Sequence, residues 1–386
     1  MNGKQARTLR VLAADDSAVM RSVMRTIFQL HGGDEESTLP RMELCGVVKD
    51  GIEALEAVLR LRPDVLVLDL EMPRLDGLGV LERLRKEAPG LPVIMCSAYT
   101  DRGARSTLNA LSHGAKDYVM KPHQQFDFAS ALDWLTQQLL PKIAALASPE
   151  LHPPFSVERR ATPRLPSYAT LAARAPVELV VVGVSTGGPS ALEEMLPALP
   201  HDLSVPILIV QHMPKLFTGA LAERLNRLCR LQVSEARDGA IARPGTVWLA
   251  PGDSHLEVVR TSSAPRIELH QGPALNGCKP SVEYLFQSAA HFGGGALALM
   301  MTGMGCDGLN GSRAIRDAGG TVLAQDEATS AVWGMPGRVV QAGLASAILP
   351  LHALAGAIVQ RVEAGRTLSP QASYRCTPRK VRHGVL

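Results

Sequence analysis

The stretch Leu179-Val-Val-Val-Gly-Val-Ser-Thr-Gly-Gly-Pro189 runs four valines straight into a glycine-dense turn that ends on a proline. An apolar run without alternation suits a strand buried on both faces, as in the middle of a parallel sheet. Proline close to the start of the following helix, predicted over Ser190–Leu199, suits its first turn. Strand, tight turn and helix in that order predict an α/β unit. Gly183-Val-Ser-Thr-Gly187 also matches G-x-S-x-G, in which small residues let the chain turn sharply and leave Ser185 exposed at the top of the sheet. Backbone N–H groups of Gly187 and Gly188, at the helix N-terminus, point at the same spot and favour a developing oxyanion. Turns of this composition also bind phosphate or simply turn, so the reading needs a base and an acid.

Downstream, strands are predicted at Val205–Gln211, Thr246–Ala250, Arg266–Leu269, Leu297–Thr302, Thr321–Gln325 and Ala345–Ile348. Helices are predicted at Gly219–Leu228, Leu309–Asp317 and His352–Ala364. His212 ends the strand after Ser185, in Val210-Gln-His-Met-Pro214, and so falls at the same sheet edge. His255, in Ala250-Pro-Gly-Asp-Ser-His255, also follows a strand and is the strongest rival base. His201 lies at the opposite edge, and His291 and His352 read as surface or packing residues. Asp307 follows an apolar strand within Thr302-Gly-Met-Gly-Cys-Asp-Gly308, where dense glycine lets backbone approach a ligand. Asp253 is the rival acid. The order serine, histidine, acid departs from the serine, acid, histidine order of α/β-hydrolases.

Upstream, five β–α alternations occupy the first 140 residues. Strands are predicted at Leu9–Ala14, Leu44–Val48, Asp64–Leu68, Leu91–Cys96 and Tyr118–Met120. Helices follow each, the first over Ser17–Leu30 with Ser17 as its cap and the last over Phe126–Ala147. The pattern is a doubly wound parallel sheet with its site at the carboxyl ends of the strands. Asp15 and Asp16 follow the first strand and Asp69 the third, so the three carboxylates meet. Their mutual repulsion calls for a divalent cation, and an all-oxygen set suits Mg²⁺. Ser97 and Lys121, after strands four and five, complete equipment for an aspartyl phosphate on Asp69. Gly32–Pro40 reads as a loop insertion. Ser148–Pro176 is rich in proline and arginine without hydrophobic period and reads as a linker. Ser369–Leu386 reads as a mobile tail.

Composition bounds the rest. The 386 residues are 46% hydrophobic and carry a net charge of only +3, which argues against a protein built on nucleic-acid backbone contacts. Aromatics at 4% disfavour base-stacking platforms. Six scattered cysteines include no C-x-x-C pair, which suits reduced thiols in a cytoplasm. No run approaches the ~18 apolar residues of a membrane span, and Asp15 and Asp16 cut short the only apolar run near the start. No membrane insertion and a cytoplasmic location are therefore expected.

The first domain resembles the receiver domain of two-component response regulators. The matching residues are Val11-Leu-Ala-Ala-Asp-Asp-Ser17, Val67-Leu-Asp-Leu-Glu-Met-Pro73, Asp76-Gly77, Cys96-Ser-Ala98 and Tyr118-Val-Met-Lys-Pro122. The distal half resembles the catalytic domain of the chemotaxis protein-glutamate methylesterase family. There the matches are Gly183–Pro189, Gln211-His-Met-Pro214 with Phe217-Thr218, Ala250-Pro-Gly-Asp253, Thr302–Gly308, Gln325-Asp-Glu327 and Gly334-Met-Pro336. The resemblance implies a flavodoxin-like receiver over residues 7–140, a linker over 141–176, a mainly parallel, Rossmann-like catalytic domain over 177–365 and a flexible tail over 366–386. It implies phosphorylation of Asp69 by a chemotaxis histidine kinase, Mg²⁺ on Asp15, Asp16 and Asp69, and coupling through Ser97, Tyr118 and Lys121. It places the nucleophile on Ser185, the base on His212 and the acid on Asp307, against His255 and Asp253, with Met304 beside the site. It implies no cofactor for the esterase, methyl-accepting chemoreceptors as substrate, and deamidation of glutamine as a second activity. Cys306 stands where Asn or another polar residue is expected in many relatives.

Overall fold

The computed structural model describes residues 7–31, 39–122, 127–147 and 175–367. The expected insertion near 32–40 (bar its last two residues), the linker from 148 to 174 and the tail from 368 onward lie outside the described residues.

The first sheet contains β1 (Leu9–Ala14), β2 (Met42–Val48), β3 (Val65–Asp69), β4 (Val93–Ser97) and β5 (Asp117–Met120). All pairs are parallel, in the order β2-β1-β3-β4-β5. That is a doubly wound topology whose chain reverses direction between β1 and β3, which opens a crevice at their carboxyl ends. Helices α1 (Ala18–His31), α2 (Gly51–Leu61), α3 (Gly77–Glu87), α4 (Asp101–Ser112) and α5 (Phe128–Ala147) cover both faces. Short polar side chains set the helix starts: Asp50 caps α2, Asp76 caps α3 and Thr100 caps α4, each accepting from backbone N–H groups of the first turn. Ser17 sits before α1 as the sequence predicts, with its hydroxyl 3.4 Å from the Met20 amide.

The second sheet has seven strands, all parallel, in the order β14-β13-β12-β6-β7-β9-β8. Its members are β6 (Leu179–Val184), β7 (Ile207–Gln211), β8 (Gln232–Glu235), β9 (Thr246–Leu249), β12 (Ala296–Met300), β13 (Thr321–Gln325) and β14 (Ala347–Leu349). Strands β10 (His255–Val259) and β11 (Arg266–His270) form a separate antiparallel hairpin. The helices are α6 (Gly188–Met195), α7 (Lys215–Leu228), α8 (Val282–Ala290), α9 (Leu309–Asp317), α10 (Met335–Gln341) and α11 (Leu351–Thr367). Every residue of β6, β7, β12 and β13 is buried, which explains their unbroken apolar reading. The reversal of winding between β6 and β12 puts a second crevice at their carboxyl ends.

The two domains touch. The Tyr118 ring stacks on Phe217 of α7, with centroids 4.7 Å apart and planes 6° from parallel. Asp117, at the start of β5, accepts at one carboxylate oxygen from Thr186 Oγ1 at 2.8 Å and Lys142 Nζ at 2.6 Å. Arg105 of α4 pairs with Glu223 of α7 at 3.0 Å, and Arg224 of α7 donates to Ser112 Oγ at 2.8 Å. A cleft of about 360 Å³ remains between the end of α4 and the turn after β6, with Ser112 and Lys116 on one wall and Gly187 and Thr302 on the other.

Candidate active site

Register places the distal site. Val184 of β6 is opposite Gln211 of β7, and Gly183 is opposite Met300 of β12. Ser185 and His212 are therefore the next pair past the ends of adjacent strands, which run about 4.8 Å apart. On its other side Ser185 donates its backbone N–H to the Thr302 carbonyl at 2.9 Å. Gln211 ties the row together, donating from Nε2 to the carbonyls of Ser185 at 3.0 Å and His212 at 3.2 Å.

Two glycines make this closeness feasible. Gly187 has φ +76°, and a Cβ there would fall 2.5 Å from the Ala331 Cβ. A Cβ on Gly303 would fall 2.7 Å from the Ser185 Cβ. The glycines of both loops thus serve close approach, as their density predicts. Helix α6 then starts directly behind Ser185, with no side-chain cap on its N-terminus.

His212 and Asp307 come together: Nε2 lies 2.8 Å from Asp307 Oδ2. Asp307 is buried and saturated. Val282 N–H also donates to Oδ2 at 2.6 Å, while Ser281 Oγ and Asn276 Nδ2 donate to Oδ1 at 2.7 and 3.2 Å. Burial alone would raise its pKa, but these hydrogen bonds, led by that from His212, outweigh it and hold the carboxyl below its ordinary value. Burial likewise pulls His212 down; the bonds to Asp307 and then Cys278 outweigh it and lift it to about 9. With Nε2–H given to Asp307, Nδ1 is the nitrogen that acts as base once the ring is neutral. Nδ1 lies 3.5 Å from Cys278 Sγ. Among the described residues no hydrogen bond joins Ser185 Oγ to His212.

The rivals separate. His255 opens β10 rather than sitting in a loop, and it is fully buried, ring to ring with His270 and Tyr284. Its Nε2 lies 3.0 Å from the Pro273 carbonyl, and burial lowers its pKa. It packs the core. Asp253 adopts a left-handed turn conformation with φ +63°. Met304 is exposed on the loop before Asp307. Sequence reasoning passed over Asn276, Cys278 and Ser281, all in the turn-rich segment Pro273-Ala-Leu-Asn-Gly-Cys-Lys-Pro-Ser281 before α8. The available signal was the Ser281 cap, since Ser281 accepts from Glu283 N–H ahead of an apolar-periodic helix.

In the receiver, one ligand oxygen from each of Asp15, Asp16 and Asp69 lies within 4.8 Å of the others. Lys121 Nζ sits 3.0 Å from Asp15 Oδ2 and 2.7 Å from Asp69 Oδ2. Those contacts are ionic rather than well-directed hydrogen bonds, so both buried oxygens keep acceptor capacity. Three oxygens with free lone pairs are a donor set that fits Mg²⁺. Burial, then the neighbouring Asp15 charge, raise Asp69 to about 6 despite Lys121. Ser97 closes β4 and its hydroxyl donates to the Gly103 carbonyl at 3.3 Å. Tyr118 is buried against Phe217 instead of lying free beside the pocket.

A receiver joined to a second α/β domain with a serine–histidine–aspartate edge is the architecture of a response regulator with an enzymatic output. Residues 11–133 match the response regulator receiver domain family and residues 180–358 the CheB methylesterase family. The chain is 42% identical over 359 residues to a protein-glutamate methylesterase/protein-glutamine glutaminase of Trichodesmium erythraeum, spanning 92% of this chain and 99% of that one. It is 42% identical over 368 residues to the protein of that name from a Nocardioides species, spanning 92% and 95%. The CheB methylesterase catalytic domain of Thermotoga maritima aligns at 37% identity and TM-score 0.47, covering 48% of this chain and 99% of that one. The chain belongs to the protein-glutamate methylesterase/protein-glutamine glutaminase family, and it is an enzyme with a receiver domain. Among the described residues no helix is long and apolar enough to cross a membrane.

Proposed function

We propose that the protein is a phosphorylation-activated serine esterase that removes methyl groups from glutamate side chains of chemoreceptors, and deamidates particular glutamines, in the cytoplasm. The receiver spans 7–140 in this reading, the catalytic domain 177–365, with 141–176 between them and 366–386 as a tail. The 2.8 Å contact of His212 with Asp307, at the strand end next to Ser185, is the observation that carries it.

Ser185 Oγ attacks the ester carbonyl carbon while its proton passes to His212 Nδ1. Asp307 fixes the ring through Nε2–H and stabilises the imidazolium. The tetrahedral oxyanion faces the N-terminus of α6, whose N–H groups and dipole favour negative charge. The C–O bond to methoxide then breaks, His212 returns the proton, and methanol leaves. Water, deprotonated by the same Nδ1, attacks the acyl-enzyme and frees the glutamate carboxylate and Ser185. A glutamine amide follows the same course with ammonia as leaving group.

Control falls to the receiver. Asp69 accepts the phosphoryl group of a chemotaxis histidine kinase. Mg²⁺ held by Asp15, Asp16 and Asp69 would neutralise phosphoryl charge there. Lys121 pairs with the phosphoryl oxygens, and Ser97 and Tyr118 change partners. Because Tyr118 stacks on Phe217 and Asp117 holds Thr186, next to Ser185, that change weakens the packing beside the cleft and shifts the population towards an open state. Mass spectrometry of methylated receptor fragments tests the proposal. The wild type should remove methyl groups faster with a small phosphodonor, and Ser185→Ala should remove none. Full activity in Ser185→Ala would refute the nucleophile.

A further inference from the structure

The Asp307-saturating loop brings one group to the base that the esterase mechanism does not use. Cys278 Sγ faces His212 Nδ1 at 3.5 Å, on the side of the ring opposite Asp307. We propose that His212 Nδ1 and Cys278 Sγ form a binding site for a thiophilic divalent cation such as Zn²⁺, which blocks the esterase reversibly by occupying the base.

Geometry supports this first. Zn–N bonds of about 2.05 Å and Zn–S bonds of about 2.3 Å, meeting at a tetrahedral angle, place the two donors about 3.5 Å apart. The donors already stand at that separation, so the pair can span a cation without a change in their spacing. The surroundings support it next. A metal-bound histidine usually gives its other N–H to a carboxylate, which fixes the ring and raises its basicity. Asp307 does this through Nε2, and its two oxygens already take four donors, so it stays an outer partner rather than a ligand. Access is adequate, because His212 and Cys278 are only partly buried. Water fills the remaining coordination positions.

The chemistry separates this site from the receiver's. Thiolate with imidazole selects Zn²⁺ or Co²⁺, whereas the three carboxylates of the acidic pocket suit Mg²⁺. On binding, the Cys278 S–H bond breaks, the proton held on Nδ1 by a charged imidazole is released as well, both protons go to solvent, and the Sγ–metal and Nδ1–metal bonds form; no electron moves. The Nδ1 lone pair is then committed to the metal and cannot accept the Ser185 proton, so hydrolysis stops until a chelator removes the ion.

Titrating full-length protein with Co²⁺ tests the site without relying on turnover, since only a thiolate ligand gives the near-ultraviolet sulfur-to-cobalt charge-transfer band. The wild type should show the band at one equivalent and lose it when Zn²⁺ is added. Ser185→Ala should keep it, which separates this inference from the nucleophile assignment. Cys278→Ala and Cys278→Ser should lose it, while Cys306→Ala retains it. In ester hydrolysis, with each protein scaled to its own metal-free rate, both Cys278 variants should need at least ~10–100-fold more Zn²⁺ for half inhibition, the cost of losing even an outer-shell partner. A band that survives in both Cys278 variants, no band in the wild type, or equal Zn²⁺ sensitivity across the set would overturn the proposal.

Discussion

Replacing Asp307 by Asn separates two roles of that carboxylate. The substitution keeps the shape but leaves one acceptor oxygen and one NH₂. Two donors meet Oδ2, His212 Nε2–H and Val282 N–H, and the backbone N–H cannot turn round to accept. At Oδ1 the partners are adaptable, since the Ser281 hydroxyl can rotate and the Asn276 amide can flip. The amide oxygen therefore settles at the Oδ2 position, and His212 keeps its Nε2–H tautomer. What is lost is the negative charge facing the imidazolium. A hydrogen bond to a charged group is worth ~1.5–3 kcal/mol, so the expected fall in kcat is roughly 10- to 150-fold. A reversed amide would impose the wrong tautomer and cost ~10⁴-fold. Steady-state hydrolysis of a methyl ester substrate by Asp307→Asn, with Asp307→Ala as the deeper loss, distinguishes these. A 10⁴-fold fall in Asp307→Asn would refute the argument that Val282 orients the amide.

Other substitutions reach the site through the backbone or the domain contact. Gly303→Ala puts a methyl group 2.7 Å from the Ser185 Cβ and 2.5 Å from Met335 Sδ, so hydrolysis should collapse while thermal unfolding shows a folded protein. Gly187→Ala combines a left-handed φ with a contact at 2.5 Å; strain of ~1–3 kcal/mol should lower Tm by several degrees and depress kcat. Asp117→Asn weakens the bonds to Lys142 and Thr186, and a loss of ~1–2 kcal/mol across the domain contact should raise the unphosphorylated rate about 5- to 30-fold; an unchanged rate would show that this contact does not restrain the enzyme. Removing divalent cations with a chelator should abolish labelling of Asp69 by a phosphodonor while leaving hydrolysis by the unphosphorylated protein intact, read by intact-mass spectrometry and ester turnover.

The parallel core was legible because its strands are buried on both faces, so β6, β7, β12 and β13 read as largely apolar runs without alternation. Edge elements were not. Strand β8, Gln-Val-Ser-Glu over 232–235, is short and half polar, and β10 begins with a histidine that is buried only by tertiary contacts with His270 of β11 and Tyr284 of α8. Helices α8 and α10 went unread because they follow loops dense in proline and glycine, and α10 holds Pro336 and Gly337 in its first turns. At the candidate site, strand ends pointed to Ser185, because parallel register converts sequence order into an edge, but left His212 against His255 and Asp307 against Asp253, and the family resemblance chose within each pair. Cys278 and Asn276 reach that edge from a loop belonging to no strand, and no periodicity reports where such a loop lands.

The stacked rings of Tyr118 and Phe217 have a thermodynamic consequence for the enzyme once its halves part. Phe217 is wholly buried and Tyr118 almost so, and each such side chain brought into water costs ~1.5–3 kcal/mol. Separation thus wets an oily face right next to the cleft. A receptor helix bundle that laid apolar residues over this face would recover that cost, so substrate engagement and release of the receiver would reinforce each other.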